Sequence, residues 1–300
     1  MASRSRFVQV VSVGATLLLL IVANSLPALA ALPRMAKDRK DSKDQKCRPQ
    51  VHIIYAVPKD GEDRALDTNG TIDRSVEAIR RWFREQSEGR DLRFDSLRGN
   101  LDISFARLAR TDAEISARGP YVRDELEKLL RAKGFNKAGK IYLVFYDGHS
   151  TYACGGGAWP PVLKGSYAAL YLRGEIPGYL PCEENPFAAD EGSPGYWEYA
   201  LIHEIFHTIG FVASCATNFV LSGHVGDNNQ DLMYAGALPW FPSLLDFNRD
   251  DYFDRPDRDC LDLVDSVFLL PPPAAGKIRV PERTRWPAVT GPPPCGAHGG

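Results

Sequence analysis

The chain has 300 residues, of which 44% are hydrophobic and 25% are charged, so it is long enough for one large globular domain or two small ones. Its formal net charge is −2, which gives no reason to expect nucleic acid or an anionic membrane as a partner. Composition excludes no class of enzyme, and the indications of function come from the motifs.

The first 30 residues have the three parts of a secretory signal peptide. Two arginines precede an apolar run over residues 7–26, and Ala28-Leu29-Ala30 forms a small-residue cleavage site. The apolar run is almost long enough to span a bilayer, so an uncleaved anchor at the cell surface is the alternative. Pro27 and the cleavage site favour removal. The mature chain is then expected to begin near Ala31, outside the cell and without stable membrane association.

Cysteine usage agrees with an oxidising compartment. All six cysteines follow the signal region and none belongs to a CxxC pair, so they predict three disulfides with 15 formal connectivities. Two pairs are plausible as local closures, which leaves the third to join the ends of the chain. The expected pairs are Cys154 with Cys182, Cys215 with Cys260, and Cys47 with Cys295.

The rest of the chain has the order of elements of an α/β fold. Residues 31–49 are mostly Lys, Arg and Asp and are predicted to form a solvated spacer. The main domain is predicted over residues 50–270, with parts 50–210 and 211–270, and a Pro/Gly-rich tail over 271–300. This order predicts a twisted mixed sheet, two packing helices and a third helix, followed by an irregular C-terminal part. The predicted elements are strands at 51–58, within 92–108 (two), at 140–148 and 166–174, and helices at 71–88, 121–135 and 196–210.

The last predicted helix contains the sequence HEIFHTIG, which has the HExxH spacing of zinc hydrolases. His203 and His207 are four residues apart and so lie on the same face of a helix, where both imidazoles can reach one cation. Glu204 stands beside the first histidine, where a base that activates water would be needed. Gly210 ends the helix as a C-cap. The alternative is that the two histidines only fill a helix face.

A catalytic zinc ion needs three protein ligands and one open position. Only one histidine, His224, follows the motif helix closely, and it lies in the glycine-flanked turn SGHVGD. The only glutamate after Glu204 is Glu282 in the tail, so a downstream glutamate ligand is nearly excluded. His224 is therefore the preferred third ligand, and the aspartates Asp227, chiefly, and Asp231 are the alternatives.

With these residues the sequence resembles the metzincin clan of secreted zinc endopeptidases. The resemblance rests on HEIFHTIG, His224 and the segment DLMYAG, and it covers residues 196–236. It implies a metzincin-like fold in which Met233 forms a methionine turn beneath the metal. The clan's usual pattern, HExxHxxGxxH, places a histidine where this chain has Ala213. The chain therefore resembles an atypical member with a displaced third histidine.

Together these features predict a secreted zinc-dependent endopeptidase that acts on a protein or peptide substrate. Zn²⁺ would activate a water molecule, with Glu204 as the general base. The resemblance suggests residues 166–172 as the sheet edge onto which an extended substrate adds. The rival interpretation is a secreted binding or structural protein with a catalytically silent zinc site. Retention of Glu204 favours the enzyme, because a structural site has no use for a base.

A second segment, LDFNRDDYFD, is rich in side-chain oxygens. Asp246, Asn248 and Asp250 alternate in a way that can wrap Ca²⁺. The glycine of a helix-loop-helix calcium site is missing, however, and Arg249 interrupts the series. A solvated acidic turn is therefore favoured over a calcium site.

Overall fold

The computed structural model of the protein describes most of the chain between residues 38 and 271. The described residues are 38–41, 49–158, 166–178, 180–190, 192, 194–257 and 259–271. The predicted signal peptide at 1–30, Cys47, Cys295 and the tail after residue 271 lie outside them. In the described part of the chain, no helix is long and apolar enough to cross a membrane.

Within these residues the structure is mixed α/β, as the order of the sequence patterns predicts. The strands are β1 (Gln50–Val57), β2 (Asp91–Leu92), β3 (Ser96–Leu97), β4 (Asn100–Leu101), β5 (Ile103–Arg107), β6 (Lys140–His149), β7 (Gly155–Gly156), β8 (Tyr167–Arg173), β9 (Phe219–Val220), β10 (His224–Val225) and β11 (Leu269–Leu270). The helices are α1 (Thr71–Gln86), α2 (Asp112–Ser116), α3 (Val122–Ala132) and α4 (Tyr196–Ile209).

A five-stranded sheet in the order β5-β1-β6-β8-β7 forms the centre of the domain. The first four strands are parallel to one another, and β7 pairs antiparallel with β8. Helices α1 and α4 cover one face of the sheet, and α2 and α3 cover the other. Strand β1 is buried along its whole length and β6 at every residue except the last. Burial on both faces explains why these two strands are mostly continuous apolar runs in the sequence.

Two elements next to the sheet differ from the prediction. The unpredicted helix α2 begins with a capping box, in which Thr111 and Glu114 bond reciprocally to each other's backbone N–H groups. The unpredicted strand β7 covers one side of β8. The expectation that residues 166–172 form the sheet edge is therefore wrong at Ala169 and Leu170, where β7 pairs with β8 and is the outer strand in the described part of the chain.

Helix α4 is fixed at both ends by local sequence. At its start, the buried carboxylate of Glu198 accepts hydrogen bonds from the N–H groups of Gly195 (2.8 Å) and Ala188 (3.1 Å). At its end, Gly210 has a φ of 104°, a left-handed conformation that favours glycine, and its N–H donates to the carbonyl of His207. The predicted helix at 196–210 is therefore confirmed, with Gly210 as its cap. Because both ends of α4 are fixed, the helical turns that contain His203 and His207 have a defined position.

After α4 the described chain contains only short elements, in agreement with the irregular C-terminal part expected. Strands β9 and β10 form a small antiparallel pair, and β11 pairs with β2. The described cysteines form two disulfides, Cys154–Cys182 and Cys215–Cys260, which are the two local pairs expected from the sequence. The second of them joins the segment after α4 to residues near the end of the described chain.

Part of the predicted spacer contacts the sheet instead of lying free in solvent. Arg39 forms an antiparallel bridge with Phe105 of β5, with backbone N–O distances of 3.0 and 3.2 Å. The carboxylate of Asp41 lies 2.7 Å from Nζ of Lys140, whose side chain is only 2% exposed. The same ammonium group contacts Asp95. Residues 38–41 thus supply part of the negative charge that compensates a buried lysine.

We expect the substitution Asp41→Ala to lower the free energy of unfolding by about 1–3 kcal/mol, because a buried ammonium loses one of its charged partners. The loss is partial because Asp95 remains as a charged partner of Lys140. Burial raises the pKa of Asp95, but the hydrogen bonds from His52 and Lys140 lower it by more, so the carboxylate stays charged. Urea unfolding of the purified protein measures the change. Asp259→Ala removes an exposed carboxylate and should change stability by less than about 0.5 kcal/mol. Equally small changes in the free energy of unfolding in both variants would show that Asp41 does not contribute to stability.

Candidate metal centre

Three histidine side chains converge next to helix α4. His203 and His207 lie one turn apart on α4, and His224 is the first residue of β10. Nε2 of His207 lies 3.0 Å from Nε2 of His203 and 3.1 Å from Nε2 of His224. Among the described residues, no further His, Cys, Asp or Glu joins this group of ligand atoms. The structure therefore brings the two motif histidines together with His224.

Backbone carbonyls orient two of the three imidazoles. Nδ1–H of His203 donates to the carbonyl of Leu232 (2.8 Å), and Nδ1–H of His224 donates to the carbonyl of Leu221 (3.2 Å). A carbonyl oxygen can only accept, so in both rings the proton is on Nδ1 and the lone pair is on Nε2. These are the atoms that face the other rings. Such a partner on the far nitrogen is typical of histidines that bind metals.

The charge state and spacing of the three imidazoles fit a metal ion. Burial lowers the pKa of His203 to about 3 and also lowers the pKa values of His207 and His224. The rings are therefore neutral, which is the form that binds metals. Tetrahedral coordination with bonds of about 2.0–2.1 Å would place two nitrogens about 3.3 Å apart, close to the separations of 3.0 and 3.1 Å in the structure. The donor set suits a tetrahedral cation with a fourth position left for water.

Glu204 lies on the same helix as two of the histidines but is not part of their ligand group. Burial raises the pKa of its carboxyl group to about 8, while a hydrogen bond from the backbone of Gly157 lowers it. A carboxyl group that titrates near neutral pH can take up a proton and give it back. The arrangement thus combines three neutral imidazoles with one buried acid–base group.

Three consecutive glycines pass close to these side chains. A Cβ atom at Gly155 would lie 2.5 Å from Oε1 of Glu204, and one at Gly157 would lie 2.5 Å from Cβ of His207. Side chains at these two positions would have to displace the groups of the centre, so only glycine allows the strand to approach so closely. The run Gly155-Gly156-Gly157 is visible in the sequence, but nothing in the sequence says which helix it approaches.

The segment around Met233 connects parts of the centre. Met233 is completely buried, and its carbonyl accepts a hydrogen bond from the N–H of Val225 in β10 (3.0 Å). Its own N–H donates to the buried carboxylate of Asp231 (2.7 Å). The residue between them, Leu232, provides the carbonyl that orients His203. Asp231, which the sequence offered as an alternative ligand, accepts hydrogen bonds from Met233 and Tyr252 and is not part of the histidine group. Sequence reasoning missed the role of Leu232, because a backbone carbonyl leaves no signal in the sequence.

Asp227, the alternative third ligand, is placed elsewhere. Its carboxylate belongs to a group with Asp250 and Asp251, in which one oxygen of each residue lies within 4.8 Å of the others. In the described part of the chain, the group that contains His203 and His207 is completed by His224 and does not include Asp227.

Of the two aspartates named for the calcium alternative, Asp250 belongs to the acidic group with Asp227 and Asp251, and Asp246 does not. The carboxylate of Asp246 accepts hydrogen bonds from the backbone N–H groups of Tyr252 (2.7 Å) and Phe253 (2.6 Å). The favoured expectation of a solvated acidic turn does not hold for Asp246 and Asp251, which are buried.

Among known proteins, the chain has partial structural matches only. No protein-family model and no curated protein matches it. Two crystal structures of OgpA from Akkermansia muciniphila align with it: a catalytically inactive form in complex with an O-glycopeptide (glycodrosocin) substrate, at 14% identity, and the wild type, at 16%. Both alignments have a TM-score of 0.31 and cover 59% of this chain, and the chain spans about half of OgpA (51% and 52%). These values are too low to transfer the role of any residue.

Proposed function

We propose that this protein is a secreted zinc-dependent endopeptidase that cleaves protein or peptide substrates. The proposal rests mainly on the convergence of three neutral imidazole nitrogens next to a buried carboxyl group, with no fourth side-chain ligand among the described residues. Structural zinc sites are usually closed by four protein ligands, whereas catalytic sites have three and a water molecule. The two disulfides support action in an oxidising compartment outside the cell.

The histidines and the glutamate of the centre have different roles in the proposed reaction. His203, His207 and His224 would hold the zinc ion, which when bound would supply a Lewis acid that polarises the scissile carbonyl and lowers the pKa of water to about 7. Glu204 would take a proton from the attacking water and then pass it to the leaving amine. Gly155 and Gly157 pass directly against the side chain of Glu204 and so limit the positions open to its carboxyl group.

Strand β7 supports the binding of an extended substrate. It is the outer strand of the sheet in the described part of the chain, and β8 occupies only one of its edges. Gly155 and Gly157 lie directly against Glu204 and His207. A peptide that adds as a further strand along the other edge of β7 would therefore pass beside the metal centre.

The rival function is a secreted binding or structural protein with a silent zinc site. It predicts the same metal content, so metal binding alone does not separate the two functions. Glu204 favours the enzyme, because a buried ionisable carboxyl group costs stability and a structural zinc site has no use for it. Peptide cleavage is the property that only the enzyme has.

We expect the purified protein to bind about one zinc ion per chain and to cleave an unstructured protein such as casein. Removal of the metal by a chelator should abolish cleavage, and one equivalent of Zn²⁺ should restore it, because Glu204 alone cannot polarise the carbonyl. Circular dichroism before and after chelation shows whether the fold survives. A protein that is loaded with zinc but cleaves neither casein nor short peptides would support the silent site.

A further inference from the structure

A cavity of about 430 Å³ borders β7 and is lined by Gly155, Gly156 and Gly157 together with residues at the start of α3. The glycines of this strand alternate between the two faces of the sheet, as residues of a strand must. Gly155 and Gly157 face Glu204 on helix α4, whereas a Cβ atom at Gly156 would lie 2.6 Å from Oη of Tyr171. Tyr171 belongs to the hydrophobic cluster under α2 and α3 and also lines the cavity. One strand therefore separates the cavity from the centre.

Three tyrosine rings supply the large side chains of the cavity wall, next to glycines and two charged residues. Tyr121 and Tyr152 line it and are 62% and 65% exposed, although both are large aromatic side chains. Tyr171 is buried and contributes a third ring. Exposed aromatic rings that converge on a concave surface gain free energy when an apolar group covers them.

Two charged residues, Arg123 and Asp124, line the cavity and pair with each other. The guanidinium group of Arg123 also contacts the carboxylate of Glu127, and its side chain is only 12% exposed. The carboxylate of Asp124 is 54% exposed, so the cavity offers little attraction to an acidic group, and the three tyrosine rings favour an uncharged one.

We propose that this cavity is a specificity subsite that takes an aromatic or large apolar side chain of the peptide substrate. The proposal rests on the proposed peptidase function. Alternate side chains of an extended peptide on β7 point to opposite faces of the sheet. With the scissile bond beside Glu204 on the α4 face, a side chain that points to the other face reaches the cavity. A volume of about 430 Å³ is within the usual range of ligand pockets and can hold one aromatic ring.

Short alanine-based peptides, each with one phenylalanine at a different position, test the subsite. We expect one position at which phenylalanine raises kcat/KM at least about tenfold over alanine in the wild type. The double variant Tyr121→Ala/Tyr152→Ala should lose most of this ratio. Leu97→Ala, which removes another exposed apolar side chain (42%) from β3, is the matched control and should keep the ratio. Fluorescence anisotropy of the same peptides with the Glu204→Gln protein measures binding without cleavage.

The outcomes separate the subsite from the peptidase function. Cleavage without a preference for phenylalanine, or a preference that the double variant retains, would overturn the subsite and leave the peptidase standing. No cleavage by the wild type, together with phenylalanine-dependent binding that the double variant loses, would overturn the peptidase and support the cavity as an aromatic-binding site. The absence of both cleavage and binding would overturn both.

Discussion

Replacement of Glu204 by glutamine is expected to lower kcat for peptide cleavage by about 10²–10⁴-fold while the zinc content stays unchanged. Glutamine has nearly the same shape as glutamate, and its amide oxygen can still accept the hydrogen bond from Gly157. It cannot take a proton from water and return it to the leaving amine. The metal ligands are unaffected because Glu204 does not belong to the histidine group.

Metal analysis and the rate of casein cleavage, measured on the same preparation, check this prediction. Glu175→Gln makes the same chemical change at an exposed position and should leave both quantities unchanged. A Glu204→Gln protein that cleaves at the wild-type rate would contradict the assigned role. Loss of zinc from that variant would instead show that Glu204 holds the metal.

Replacement of His224 by alanine is expected to weaken zinc binding by at least about 100-fold and to abolish cleavage. Loss of a hydrogen-bond partner behind a metal ligand already costs about 10–100-fold in affinity, and loss of the ligand itself costs more. Nε2 of His224 lies 3.1 Å from Nε2 of His207, so its removal leaves only the two histidines of α4 to hold the ion. Titration with zinc against a chelating indicator measures the affinity.

Two control variants test whether the loss of zinc affinity is specific to His224. His149→Ala removes a histidine whose side chain is 49% exposed and that contacts Asp112, outside the histidine group. Asp227→Ala removes the alternative ligand, which lies in the acidic group. Both should bind zinc like the wild type. Unchanged affinity in His224→Ala, or loss of zinc in Asp227→Ala, would require a different third ligand.

The parts of the fold with strong local patterns could be predicted from the sequence. The helices predicted at 71–88, from apolar periodicity, and at 196–210, from the terminal glycine, have the bounds of α1 and α4 within two residues. Strand β6 follows the apolar run at 140–148 because it is buried on both faces. The spacing of His203 and His207 on one helix face is likewise a local property, since it depends only on helical geometry.

Features that depend on contacts between distant segments could not be predicted. Strand β7 consists of two glycines, so it has no side-chain pattern, and its importance comes from its approach to Glu204. Residues 38–41 contact β5 and Lys140, although their composition indicates a solvated spacer. The acidic group has the same character: Asp250 and its neighbour Asp251 lie close to Asp227, which comes from another segment of the chain.

Anomalous diffraction at the zinc absorption edge, from crystals of the wild-type protein, tests the central claim most directly. We predict one strong peak about 2.0–2.1 Å from Nε2 of His203, His207 and His224, with a water molecule as the fourth ligand. No peak between these histidines in crystals soaked with zinc would contradict the metal centre. A peak closed by a fourth protein side chain would contradict its catalytic role.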